Sequence, residues 1–375
     1  MKKVYLDNAS TTSLYPEVIE EMTRILSTQY GNPSSSHEIG RQAKNELELA
    51  RKTIAKNLKC NAQEIIFTSC ATEANNLILR SAIKSLGVKR IITSKIEHHA
   101  VLHTVEVLQE EFKLPVDFVS INSDGTIDYN HLEDLLQSDV KTLVSLMHVN
   151  NEIGTVLDLK KVADLCKKSN TYFHTDAVQG VGKSVIDLSN ISIDFLVASA
   201  HKFHGPKGVG FAYIKKNIVL QPILYGGEQE KGLRAGTESI HNIVGMAKAL
   251  DVSLVNLQTN REYIKGLKKY LIEALQNHFP ESVLVGNQEV TQHNIVNVIL
   301  PLEETKSGMV VFLMDMNGVA ISRGSACQSG SSKPSHVLEA FISNEYLTKP
   351  NMRISLSKYN TLEDIDFLIE TIKKI

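Results

Sequence analysis

The stretch SAHKFHGPKG (199–208) follows an apolar run and sets Ser199, His201 and Lys202 where a strand would end. A lysine at the end of a rigid element suits Schiff-base formation with a carbonyl. Pyridoxal phosphate, the cofactor that uses such a link, works as an electron sink only while a carboxylate keeps its ring nitrogen protonated. Asp176, twenty-six residues earlier after the run YFHT, fits that carboxylate, and Gln179 in HTDAVQ (174–179) is able to hydrogen-bond a ring oxygen. Taken singly, Asp176 would be a helix cap and Lys202 a solvated lysine; it is the pairing that points to cofactor chemistry. GPKGVG (205–210) is neither a nucleotide P-loop nor a dinucleotide fingerprint, so a phosphate must be held in another way. TSCATEANN (68–76) offers one, because Ala71 and Thr72 stand at a strand-to-helix junction where free N–H groups and the helix dipole attract an anion. EHHAVL (97–102) opens another helix and sets His98 to lie against a flat ring or to move a proton. His99 and His103, four apart, admit a zinc reading with Glu97, but the H-E-x-x-H order and a third ligand cluster are absent, so no metal is expected.

These residues need a scaffold. Short β-branched runs at 64–68, 90–94, 116–120, 142–147, 172–175, 194–199 and 209–214 alternate with amphipathic segments such as ATEANNLILRSAIKS and DLKKVADLCKK. That alternation predicts an α/β fold, a mainly parallel sheet with helices on both faces, whose ligands bind beyond the carboxyl ends of the strands. After Ser239 two long helices, roughly 239–257 and 261–277, precede the apolar strands SVLV (282–285) and IVNVIL (295–300), which predicts a smaller α+β domain beginning near residue 255. The 375 residues carry 40 Lys+Arg against 42 Asp+Glu, a net charge of −2, with 42% hydrophobic and 22% charged residues. This is ordinary globular composition with no polyelectrolyte signal, so neither a nucleic-acid nor a membrane partner is expected. The N-terminus lacks a signal-peptide core, and the four cysteines (Cys60, Cys70, Cys166, Cys327) form no C-x-x-C pair, which predicts reduced thiols in the cytoplasm. Cys60 and Cys166 fall in helical contexts. Cys327 falls in the Gly/Ser-rich SRGSACQSGSSKPS (322–335), read as a mobile surface loop.

Taken together, YLDNASTT (5–12), YGNPSSSH (30–37), FTSCATEANN (67–76), IEHHAV (96–101), MHVNNEIG (147–154), HTDAVQ, SAHKFHGPKG, LYGGEQEKGLRAGT (224–237), SRGSACQSG (322–330) and MRISL (352–356) resemble the NifS/IscS-type cysteine desulfurases, block for block and in order. The resemblance implies the fold type I of pyridoxal-phosphate enzymes, with a seven-stranded sheet in a large domain (16–255), a small domain (256–375) carrying the cysteine loop, and an N-terminal segment (1–15) packed on the small domain. It implies Lys202 as the Schiff-base lysine, Asp176 on the pyridine nitrogen and Gln179 on the ring hydroxyl. His98 would stack on the ring, and Ala71, Thr72, Ser199 and His201 would hold the phosphate. Thr237 would reach the phosphate of the neighbouring subunit in a homodimer. Asn151 would touch cofactor and substrate, and Arg353 would clamp the substrate carboxylate.

By the same resemblance Cys327 takes sulfur from L-cysteine as a persulfide, leaving alanine, and a long loop delivers it to an acceptor protein. IscS-type members that dock on an iron–sulfur scaffold carry a further C-terminal extension, whereas this sequence ends at Ile375, so the acceptor is expected to be either such a scaffold or a tRNA-thiolation carrier. A selenocysteine lyase or aminotransferase, which would not need Cys327, and a subunit without turnover are the competing readings.

Overall fold

The computed structural model describes residues 2–324 and 334–375. All seven expected strands form, each within one or two residues of its predicted limits: β2 (Ile65–Thr68), β3 (Arg90–Ser94), β4 (Val116–Val119), β5 (Thr142–Ser145), β6 (Tyr172–Asp176), β7 (Phe195–Ser199) and β8 (Gly210–Ile214), with β1 (Val4–Tyr5) preceding them. They make one sheet in the order β2-β8-β7-β6-β5-β3-β4. The pairs β7–β6, β6–β5, β5–β3 and β3–β4 are parallel, and β8 runs antiparallel to both neighbours. Strands buried on both faces need apolar residues at successive positions, and alternate side chains then serve opposite layers. In β7, Leu196 and Ala198 join the core beneath helices Glu38–Leu58 and Ile240–Val255, while Phe195 and Val197 join the core beneath helices Ala71–Leu86 and His99–Phe112.

The apolar cores change over at Asn256, between helix Ile240–Val255 and helix Leu257–His278. Beyond it β9 (Val283–Val285), β10 (Ile295–Ile299) and β12 (Asn351–Ser355) form an antiparallel sheet in the order β12-β10-β9, packed on helices Leu257–His278, Val310–Met316 and Leu362–Ile372. The N-terminal chain is drawn into this second unit. β1 pairs in parallel with β11 (Val319–Ala320), and Asp7 bridges to Ser355. None of the described helices is long and apolar enough to cross a membrane.

A buried ion pair fixes the segment 224–237 to the large sheet. Arg51 donates from both terminal nitrogens to Glu230, each at 2.8 Å, and Glu230 also accepts the Phe67 N–H at 2.8 Å. Both side chains are almost fully buried, and Glu230 and Lys231 adopt left-handed backbone (φ 47° and 59°). Removing one partner leaves the other charged and desolvated. Arg51→Ala is therefore expected to cost about 3–5 kcal/mol, seen as a lower urea midpoint, while Arg51→Met combined with Glu230→Met recovers most of that loss.

Acid will also destabilise the fold. Burial pushes His148 down to about 4 and His174 to about 3, and burial with the charge of Lys183 pushes His293 to about 3. In the unfolded chain these imidazoles titrate near 6.5, so between about pH 6.5 and 4 the unfolded state binds more protons and stability falls as pH falls. Each contributes a slope of about 1.4 kcal/mol per pH unit in that window. Buried Glu97, raised to about 8, retains its proton in the folded state and offsets one such slope above its unfolded value. Denaturant titrations at pH 7, 6 and 5 should therefore show a progressive decline, and a flat profile would contradict the burial of these neutral imidazoles.

Candidate active site

A cavity of about 220 Å³ opens at the carboxyl ends of the central strands, and the N-terminal segment and β12 complete its wall. It brings together Ala71, Thr72, His98, Asn151, Asp176, Gln179, Ser199, His201, Lys202 and Arg353, each predicted from the sequence.

Asp176 ends β6 and is buried. Its Oδ2 accepts from the Asn75 amide at 2.8 Å and its Oδ1 from the Val178 N–H at 3.1 Å, so the carboxylate has a fixed orientation. Lys202 follows β7 in a short 3₁₀ turn (Ala200–Lys202) and donates to the carbonyls of Ala9 and Ser10, both at 2.7 Å. Gln179 donates from Nε2 to the same Ala9 carbonyl at 2.8 Å and accepts at Oε1 from Lys183 at 2.9 Å.

His98 caps helix His99–Phe112, its Nδ1 accepting the Ala100 N–H at 3.0 Å, which leaves the ring proton on Nε2. Burial lowers its pKa, the charge of Asp176 opposes that shift and Lys202 reinforces it, so the ring is neutral at pH 7. His201 bonds the Thr11 hydroxyl at 3.2 Å and is driven to about 4 by burial and the neighbouring Lys202. Ala71 and Thr72 open helix Ala71–Leu86, whose first N–H groups have no partner within the helix and face an anion well.

Arg353 on β12 is 1% exposed, although its guanidinium cannot lose its charge. Nη2 donates to Asp7 at 2.9 Å and to the Ser10 hydroxyl at 2.6 Å, Nη1 donates to the Asn151 carbonyl at 2.8 Å, and buried Nε is left without a partner among the described residues.

Two predicted residues remain, one placed elsewhere and one outside the described residues. Thr237 is exposed and does not line the cavity of its own chain. Cys327 lies outside the described residues, but both flanks of its segment are anchored beside the cavity. Ser322 exchanges backbone hydrogen bonds with Arg353, Gly324 sits so close to Glu152 that a Cβ there would fall 3.1 Å from its Oε2, and Ser335 donates to the same carboxylate. His336 donates to the Glu97 carbonyl at 2.9 Å. No group of three described side chains has the arrangement to hold a metal; His99 stacks with His103 and His336 at 4.7 and 4.3 Å between centroids.

Asn75, Asp7 and Glu152 escaped the sequence reading, as did the carbonyls of Ala9 and Ser10. Asn75 had a signal, since it lies one helical turn after Thr72 and shares its face. The others are set by contacts between residues hundreds of positions apart.

The family model of aminotransferase class V matches residues 4–368. A cysteine desulfurase IscS of Clostridium botulinum strain Kyoto is 40% identical over 378 aligned residues, covering 100% of this chain and 94% of that one. One of Dictyoglomus turgidum is 38% identical with the same coverage. Among solved structures, a NifS-like protein superposes with a TM-score of 0.91 at 35% identity, covering 99% of this chain and 98% of its own. SspA in complex with cysteine gives 0.82 at 32% identity, covering 96% and 100%. On likeness of sequence and structure from end to end, this chain belongs to the aminotransferase class-V family, among the cysteine desulfurases of the IscS and NifS type.

Proposed function

We propose that the chain is a pyridoxal-phosphate-dependent cysteine desulfurase that converts L-cysteine to L-alanine and leaves the sulfur on Cys327. The observation that carries this reading is the convergence of Asp176, His98, Lys202 and Arg353, from four separate elements, on one cavity. The residues present fit the cofactor. Asp176 is the one acidic side chain among the described residues of the cavity wall, Lys202 presents its amine there, and the opening turn of helix Ala71–Leu86 with Ser199 and His201 forms a donor-rich end for a phosphate. When bound, pyridoxal phosphate supplies an electron sink that acidifies the substrate Cα–H and weakens its carbon–sulfur bond.

The protein residues do the rest. Asp176, held by Asn75 and the Val178 N–H, would keep a proton on the ring nitrogen of the cofactor. Lys202 would hold the cofactor through its amine and would carry protons to and from the substrate carbon. Neutral His98 would cover the ring face and is able to pass a proton through Nε2. Arg353, whose Nε has no partner among the described residues, and Asn151 would orient the substrate carboxylate. The Cys327 thiolate attacks the substrate sulfur; the carbon–sulfur bond breaks, the sulfur remains as a persulfide, and the carbon fragment takes up a proton and leaves as alanine. The anchoring of both flanks beside Glu152 supports delivery of this cysteine to the cavity. The active form is a homodimer in which Thr237 serves the partner subunit's phosphate site, and the persulfide passes to an acceptor protein.

The purified protein should absorb near ~420 nm, and added L-cysteine should yield alanine. Cys327→Ala should retain the band and lose alanine formation by at least about 100-fold, and Lys202→Ala should lose both. Alanine formation that survives Cys327→Ala would replace the desulfurase reading with a lyase or transaminase. Sedimentation should give a dimer; a fully active monomer would refute the role of Thr237.

A further inference from the structure

We propose that Lys183 is a positioning residue that fixes which end of the Gln179 amide faces the active-site cavity. The inference rests on the cofactor reading above and assigns a task to a residue that the reading leaves unused. The chain after β6 folds into one tight turn, with the Val181 N–H on the Ala177 carbonyl and the Ser184 N–H on the Gly180 carbonyl, both at 2.9 Å. Four residues apart on this turn, Lys183 and Gln179 meet at 2.9 Å.

An amide has one donating and one accepting end, and its surroundings decide which is which. The Ala9 carbonyl can only accept, so the Gln179 atom 2.8 Å from it must be nitrogen. The Lys183 amine donates to the other end of the amide at 2.9 Å, so the atom facing it is oxygen. A reversed amide would set N–H against ammonium and carbonyl against carbonyl, losing two hydrogen bonds at once in a buried site. Held this way, Nε2 keeps its second hydrogen for an oxygen within the cavity, the polarity needed to donate to the ring hydroxyl of pyridoxal phosphate.

Lys183 has no ion-pair partner among the described residues. Facing it are Lys202 and Arg353 on the cavity side, and on the other a space of about 40 Å³ lined by Arg261, His204, His293 and Lys358 with no carboxylate among its described residues. Burial and the charges of Lys202 and Arg353 push its pKa down to about 7, so the ammonium is held against an electrostatic cost. A structural salt bridge does not account for it, whereas the contact with Gln179 does.

The test is a double-mutant cycle on the purified holoenzyme with Lys183→Met, Gln179→Leu and both together. The readouts are the dissociation constant of pyridoxal phosphate and the pH midpoint of its visible band. Lys183→Met alone should weaken cofactor binding about tenfold and raise the midpoint by about half to one pH unit, because the oxygen loses its donor and the imine nitrogen loses a nearby cation. Lys183→Arg, which keeps charge and donor, should stay within about twofold of wild type. In the Gln179→Leu background, Lys183→Met should change binding by less than about twofold. Equal effects in both backgrounds, or no effect of Lys183→Met, would overturn the inference while leaving the cofactor reading intact. A wild-type protein that holds no pyridoxal phosphate would overturn both.

Discussion

The buried guanidinium of Arg353 is the charge around which the two parts of the fold are joined. A cation that cannot be neutralised by deprotonation must be paired when it is taken out of water, and here the pair is Asp7, 346 residues away in sequence. That contact brings the N-terminal segment across the second sheet and holds Ser10 against the same guanidinium. Once residues 7–10 are fixed, the Ala9 and Ser10 carbonyls receive the Lys202 amine, and Ala9 also receives the Gln179 amide. One ion pair thus orders three groups of the cavity that come from different parts of the chain. Ser10 at this position does more than fill space, since its hydroxyl joins Asp7 to Arg353 at 2.9 and 2.6 Å.

The electrostatics of the cavity follow from the same economy of charge. Lys202 and Arg353 are cationic, Asp176 is the acidic group of the described wall, and the imidazoles of His98 and His201 are kept neutral by burial and by Lys202. A pocket of this kind favours an anionic ligand with one basic ring nitrogen: phosphate and carboxylate meet donors, and the ring nitrogen meets the carboxylate. The low effective dielectric of the site strengthens each of these interactions relative to water.

Much of this was legible in the sequence because parallel strands are buried on both faces, so their apolar runs stand out and their carboxyl ends can be located. Asp176, Ser199 and Lys202 could be read for that reason, each standing at or just after a strand end. Ala71 and Thr72 were legible from the strand-to-helix junction, and His98 from the helix that it caps. Backbone carbonyls carry no residue-type signal, so Ala9 and Ser10 could not be identified as partners of Lys202. β1 and β11 have two residues each, too few for a period to show. Asp7 and Glu152 are ordinary acids in the sequence and gain meaning only when β12 and the flanks of the 322–335 segment are brought beside them. Thr237 is named by resemblance alone, and nothing among the described residues engages it with the cavity.

In the proposed reaction Cys327 has to meet the substrate sulfur first and an acceptor protein afterwards. A sulfur atom taken up inside the cavity is of no use to an acceptor protein that cannot enter it, so on the proposed function the residue that takes the sulfur would belong to a segment distinct from the groups that would orient the substrate. Those groups are held by buried strands and by the Arg353–Asp7 pair, where a displacement of 1 Å would spoil the alignment of the reacting atoms. The segment with Cys327 leaves from Ser322 and Gly324 and returns at Ser335, and both sides abut the buried Glu152, one residue from Asn151 in the cavity wall. The two described flanks therefore meet at a single carboxylate beside the cavity wall. On the proposed function, a rigid substrate site then has the two ends of the Cys327 segment at its edge, where the sulfur would have to be taken up and from which it would have to leave.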